Sequence, residues 1–187
     1  SCTYVPVITL NGDATMTISV SSGYIDQGAT AVDTDGTEIV VVADTSAIND
    51  STVNQFTVTY SATNAHGTAT ATRTVDVIIN HENYPGTYDV ADDCGGGTGL
   101  GLNDNPTIAA GANDNQILIN DFFGGVASTY GTAICDIDGV NVTIPSASES
   151  APGGVGTITY EGFGTMSEDG KTMTITYTYT SVSYTHL

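Results

Sequence analysis

Three carboxylates fall within six residues at Asp33, Asp35 and Glu38, around the turn at Gly36. Asp26 lies one short segment upstream. Hard oxygen ligands at this density suit calcium. The expected metal site is Asp26, Asp33 and Asp35, weak and not required for folding. The competing reading is local. Asp-x-Asp-Gly is an ordinary turn signal, and the other ligands of a helix–loop–helix calcium loop are missing. Asp136-Ile137-Asp138-Gly139 carries the same two readings. His66, His81 and His186 are scattered, with no cysteine at a fixed short spacing, so no zinc pattern is present. No cofactor is expected.

Nucleophilic chemistry finds little material. No serine lies in a Gly-x-Ser-x-Gly elbow. Glu161 and Glu168 fall on a strand and in a hairpin turn, an unpromising glycosidase pair. Gly95 to Gly99 lacks the lysine and the helix of a phosphate loop. The only bases are Arg73 and Lys171. Arg73 reads as a sheet-surface residue between Thr72 and Thr74, and Lys171 as solvated. Catalysis is therefore not expected. Tyr160, Tyr177 and Tyr179 could offer sugars an aromatic face, but a packed sheet face explains them better.

Cysteine chemistry is structural. Cys94 and Cys135 fall in the same half of the chain and form the natural disulfide pair, with two separate buried thiols as the alternative. Cys2 stands where a lipoprotein would carry its lipid anchor after leader removal. The alternative is a simple exposed cysteine.

Composition bounds the partners. Twenty-one acids against two bases give a formal net charge of −19 over 187 residues. Such a surface repels nucleic acid and anionic lipid, both of which require Lys and Arg. It admits extracellular protein or glycan as partner. Solubility alone also accounts for the acids. No apolar run is long enough to span a membrane, so contact with one is expected only through the possible lipid anchor. A Thr-rich, Lys-poor chain with 12% charged residues reads as exported, to the cell surface, the outer membrane or the medium.

These residues are positioned by strands. Apolar and polar residues alternate along Met16-Thr17-Ile18-Ser19-Val20, Phe56 to Tyr60 and Ala69 to Val77, the period of half-buried strands. Val5 to Leu10 and Glu38 to Ala43 read as two further strands, and Asn11-Gly12-Asp13 as a turn. In the second half, strands are expected at Gln116 to Phe123, Val126 to Asp136, Val140 to Ile144, Thr157 to Phe163 and Thr172 to Tyr179. Ser167 to Lys171 reads as a hairpin turn. No stretch carries a helical period. The fold class is all-β, with an N-terminal sandwich over residues 1–79 and an antiparallel meander over 80–187, a small barrel or a second sandwich. The polar run Asn80-His81-Glu82-Asn83 marks the boundary. Ser183-Tyr184-Thr185-His186-Leu187 reads either as a foreign tail or as a frayed terminus.

Two family resemblances add to this. Pro6-Val7-Ile8-Thr9-Leu10-Asn11-Gly12, Tyr24-Ile25-Asp26-Gln27-Gly28-Ala29-Thr30-Ala31, Asp33-Thr34-Asp35-Gly36 and Phe56 to Ala69 together resemble a bacterial Ig-like surface repeat. That resemblance implies an Ig-like sandwich and a spacer or adhesive role. Gly86-Thr87-Tyr88-Asp89-Val90, Ile119-Asn120-Asp121-Phe122-Phe123, Val142-Thr143-Ile144-Pro145 and Gly162-Phe163-Gly164 resemble the C-terminal domain of Bacteroidetes outer-membrane lipoproteins of uncharacterised function. That one implies location and architecture only. The function expected is a surface structural or adhesive module, or alternatively a carbohydrate-binding accessory protein of a glycan-uptake system.

Overall fold

The computed structural model describes residues 4–89, 106–120, 122, 131–150 and 156–182. The chain divides into two compact units, Ser1–Ile78 and Ile79–Leu187. Each is described by itself.

The first unit is built from two facing sheets. One has the order β1-β3-β4, with β1 at Val7–Leu10, β3 at Ala29–Val32 and β4 at Glu38–Ile39. The other has the order β2-β7-β6-β5, with β2 at Thr15–Ser19, β5 at Val41–Asp44, β6 at Asn54–Asn64 and β7 at Gly67–Ile78. β2 runs parallel to β7, and the other pairings are antiparallel. Val58, Tyr60 and Val75 centre the core, and Ile8, Leu10, Ile18, Ala29, Val41 and Phe56 close on it from both sheets. Alternation along β6 and β7 sets this inner face.

The segment Glu38 to Ala43, expected as one strand, is two. It leaves the first sheet after Ile39 and joins the second at Val41. Val40 lies at the crossing and is exposed. Switching sheets turns the pleat, so a continuous apolar run serves both layers.

In the second unit one antiparallel sheet has the order β14-β13-β12-β11-β10-β9-β8. These strands are β8 Gly86–Thr87, β9 Thr107–Ala110, β10 Gln116–Asn120, β11 Ala133–Asp138, β12 Asn141–Ser150, β13 Thr157–Met166 and β14 Met173–Val182. The sheet curls into half a barrel, which settles the choice between barrel and second sandwich. Ile117, Ile119, Cys135, Val142, Ile144 and Tyr160 line its buried face, and Phe122 packs on Tyr160 and Tyr177 at ring distances of 5.5 and 5.2 Å.

The polar run at residues 80–83 forms a 3-10 turn over His81–Asn83. Asn80 caps it, accepting from Glu82 N at 3.0 Å, while Asn83 accepts from Asn80 N. Tyr84, just beyond, is fully buried and donates its hydroxyl to Gly139 O at 2.8 Å. The expected hairpin is present: Ser167 N donates to Thr172 O at 2.7 Å.

Candidate binding surface

The polar chemistry of the first unit centres on Arg73. It stands in the inner row of β7 with Val75 and Val77 and is fully buried, which corrects the expectation of a sheet-surface position. Its place is directly opposite Val58 on β6. The reason is visible in its partners. Nη1 donates to Asp26 Oδ1 at 2.9 Å and to the Tyr60 hydroxyl at 2.6 Å. Nε donates to Asp13 O at 3.0 Å, and Nη2 to Asn11 O and Gly28 O. The guanidinium also lies 5.4 Å from the Tyr60 ring centroid. Two loops, residues 11–13 and 26–28, thus close over one buried cation. Gly12 allows them to meet: its φ is +78°, and a β-carbon there would collide with the Gln27 side chain.

Asp26 is the acid of this clamp. It accepts from Tyr60 and from Tyr24 at 3.0 Å. Burial opposes its ionisation, but hydrogen bonds from Tyr60, Gly28 and Tyr24 and the charge of Arg73 outweigh that and hold the carboxyl below its ordinary value. The same surroundings push the Tyr60 phenol up, burial first and Asp26 second.

The three carboxylates expected to hold calcium are not gathered. Among the described residues no group of three or more His, Cys, Asp or Glu side chains is placed to hold a metal. Asp26 is engaged by Arg73. Asp33 accepts from Thr34 N at 2.8 Å and from Asn64 Nδ2 at 3.2 Å. Asp35 accepts from Thr37 N at 2.9 Å, which lowers its carboxyl. Turn geometry and ion pairing consume the acids that spacing had put forward.

Cys2 and Cys94 lie outside the described residues. Cys135 is a fully buried free thiol on β11, donating to Ala133 O at 3.7 Å. Burial first and the Asp136 charge second push it up to about 12.

The second unit buries no charged side chain among its described residues. Pairing of β11 with β12 stops at Asp136↔Thr143. Two residues further, Ile134 would face Pro145, which has no N–H to give a ladder. A bulge between Ile144 and Ala147 then adds one residue to β12 against β13 and reverses its alternation. Thr143 faces outward with Phe163, whereas Ala147 and Glu149 turn inward with Tyr160 and Ile158. The sheet opens there into a groove of about 390 Å³, bordered by Ile134 and Asp136 on one side and Pro145 and Glu149 on the other. Tyr160 lies at its floor and donates to Glu149 Oε1 at 3.2 Å. Burial and the Glu149 charge raise Tyr160 to about 12.

A second concavity, about 440 Å³, surrounds Thr143, Pro145, Glu161, Phe163 and Thr176 on the outer face. Phe163 is 66% exposed there. The tyrosines weighed as a sugar platform behave otherwise: Tyr160 is buried and Tyr177 packs its ring on Phe122. The exposed ring is the phenylalanine. Its signal in the sequence was Gly162-Phe163-Gly164, a strand segment whose inward positions carry no side chain.

Two packed sheets over a shared core define the first unit as an Ig-like sandwich. Residues 8–77 match the model of the family described as bacterial surface protein, Ig-like domain. No curated protein gives a significant match. Among solved structures, the crystal structure of the lipoprotein BT2262 from Bacteroides thetaiotaomicron is 16% identical, with a TM-score of 0.34, over 92% of this chain and 98% of that one. The first unit therefore carries an Ig-like domain similar to those of bacterial surface proteins.

Proposed function

We propose that this protein is a non-catalytic component of the cell surface, held there by a lipid on Cys2, whose second unit is presented to an extracellular protein or glycan. The observation that carries the reading is the match of the first unit to a surface Ig-like family, in a sandwich whose buried Arg73 is spent on closing its own loops. A loop clamp of that kind suits a rigid spacer. In the groove of the second unit, Tyr160 is pushed far above neutral pH, which makes it a poor proton shuttle.

The test uses the full chain in its native cell. Added protease should reach it on intact cells, and Cys2→Ser should release it from the membrane fraction. Screens with glycosidase, esterase and peptidase substrates should be blank. A chain protected from external protease, or a turnover lost on one Asp, Glu or His substitution, would sink the reading.

Cys135 is a free thiol in this structure; the same reading of an exported chain includes its oxidation, after export, to a bridge with Cys94. It requires the two Cα atoms to come within about 4.4–6.8 Å. Peptide mapping without reductant should recover the linked pair. Alkylation of Cys135 on unfolding in the absence of reductant removes the bridge.

A further inference from the structure

We infer that the outer face of the second unit binds a neutral oligosaccharide laid across its strands, with Phe163 as the ring on which one sugar stacks. The inference rests on the reading that this unit faces an extracellular partner, and it names the class of that partner.

The register sets the geometry. Gln116 pairs with Asp136, Asp136 with Thr143, Thr143 with Phe163, and Phe163 with Thr176. Directly paired residues share a face, so these five side chains form one row over β10, β11, β12, β13 and β14. Four strand spacings of about 4.8 Å make the row roughly 19 Å long, enough for several sugars in an extended chain. Along it run an amide, a carboxylate, a hydroxyl, an aromatic ring and a hydroxyl. Gln116 and Asp136 border the first concavity, Thr143, Phe163 and Thr176 the second, and Pro145 borders both.

Phe163 adds little to the core of its own sheet. Gly162 and Gly164 flank it, and the inner surface at those positions is closed from β14: a β-carbon at Gly162 would sit 2.7 Å from Thr176 O, and one at Gly164 2.4 Å from Thr174 O. The strand is thin on the inside, and its ring projects outward between two threonines. A single exposed apolar residue is ordinary on any surface. A ring bordering a concavity, in a row of hydrogen-bonding groups, is the arrangement that a pyranose uses, with its C–H face on the ring and its hydroxyls on the flanking side chains.

Charge narrows the ligand. Asp136 and Glu161 accept hydrogen bonds from sugar hydroxyls, and no Lys or Arg borders either concavity. Arg73 is buried in the other unit, and Lys171 lies in the hairpin turn before β14. With a net charge of −19, uronate or sulfate groups are repelled. A basic peptide would be attracted, but by a long-range field that salt screens, whereas stacking and short hydrogen bonds to a neutral sugar are insensitive to salt.

The experiment is calorimetric titration of the full chain with short gluco-, manno-, xylo- and galacto-oligosaccharides, with uronate and sulfated oligosaccharides and basic peptides beside them. At least one neutral oligosaccharide should saturate, with affinity unchanged in roughly 0.5 M salt. Phe163→Ala should weaken it about tenfold or more, Phe163→Trp should restore it, and Asp136→Asn should cost a smaller factor. Melting temperatures should stay at the parent value, because Phe163 and Asp136 are exposed. Three results would overturn the inference: no neutral oligosaccharide binds, Phe163→Ala binds as the parent does, or binding is confined to charged probes and collapses in salt. In each case a chain still reached by protease on intact cells leaves the surface-module reading standing.

Discussion

The first unit buries a charged side chain beside its core, whereas the second packs rings together. Arg73 is fully buried and satisfies five acceptors from two loops and a neighbouring strand. Phe122, Tyr160 and Tyr177 form the ring cluster of the half barrel. The difference decides where each unit has chemistry to spare. A buried cation must have every donor paired, so the first unit turns its polar groups inward. A ring cluster makes no such demand, and the second unit leaves carboxylate, amide and hydroxyl groups on its outer face.

The largest effect should come from breaking the clamp from its acid side. Asp26→Ala leaves a buried guanidinium without its counter-ion and should cost the first unit about 3–5 kcal/mol. Arg73→Met should cost less, since it removes the charge as well as the donors. Calorimetry that separates the two transitions is the measurement. A loss below about 1 kcal/mol for Asp26→Ala would mean that the guanidinium finds water, and the contrast between the units would dissolve.

Next in size is an insertion into the second unit. Gly164→Val places a β-carbon 2.4 Å from Thr174 O, so β14 must shift. Overpacking of this kind costs about 1–3 kcal/mol. It should appear only in the transition of the second unit. A drop in the first unit's transition instead would show that the units do not melt separately.

How much of this was legible in advance follows from the same contrast. Alternation along Phe56 to Tyr60 and Ala69 to Val77 gave the sandwich, because apolar periodicity is a local signal. The role of Arg73 was not legible. Alternation put it in the inner row with Val75, yet its charge argued for the surface. Its partners come from residues 11–13 and 26–28, some 45 to 62 positions away in sequence. No local pattern encodes a carbonyl at that distance. Phe163 was missed for the opposite reason. Its inward neighbours are glycines, so the strand has no strong alternation to declare which face is outside. The break at Val40 was hidden because both sheets accept the same apolar run.

Acid should distinguish the units by a smaller margin. The Asp26 carboxyl lies below its ordinary value of 3.8 in the folded chain. A depressed folded value means that its stabilisation is fully present above about pH 4 and is lost as pH falls through the lowered value. The first unit should therefore soften below about pH 4. Asp26→Asn should flatten that limb of the curve. Circular dichroism melts over an acid series measure it. An unchanged slope in Asp26→Asn would assign the acid limb to other carboxylates.

The smallest effect expected is that of calcium on the first unit. A calcium site needs about six to eight oxygens at 2.3–2.6 Å around one point. Asp26, Asp33 and Asp35 would have to supply the charged ones. Asp26 could turn to a metal only by leaving Arg73, and two cations would then share one acid. Asp33 holds Thr34 N and the Asn64 amide, and Asp35 holds Thr37 N, so each would give up a turn hydrogen bond. A ligand that binds only the folded state raises stability by RT ln(1 + [L]/Kd), so a weak site gives no shift until its concentration passes Kd. Millimolar calcium and chelator should therefore give the same melting temperature for the first unit, in the parent and in Asp33→Ala alike. A saturable rise with calcium that Asp33→Ala abolishes would show that the two loops reopen around a metal, and the clamp would then be one of two states of this unit.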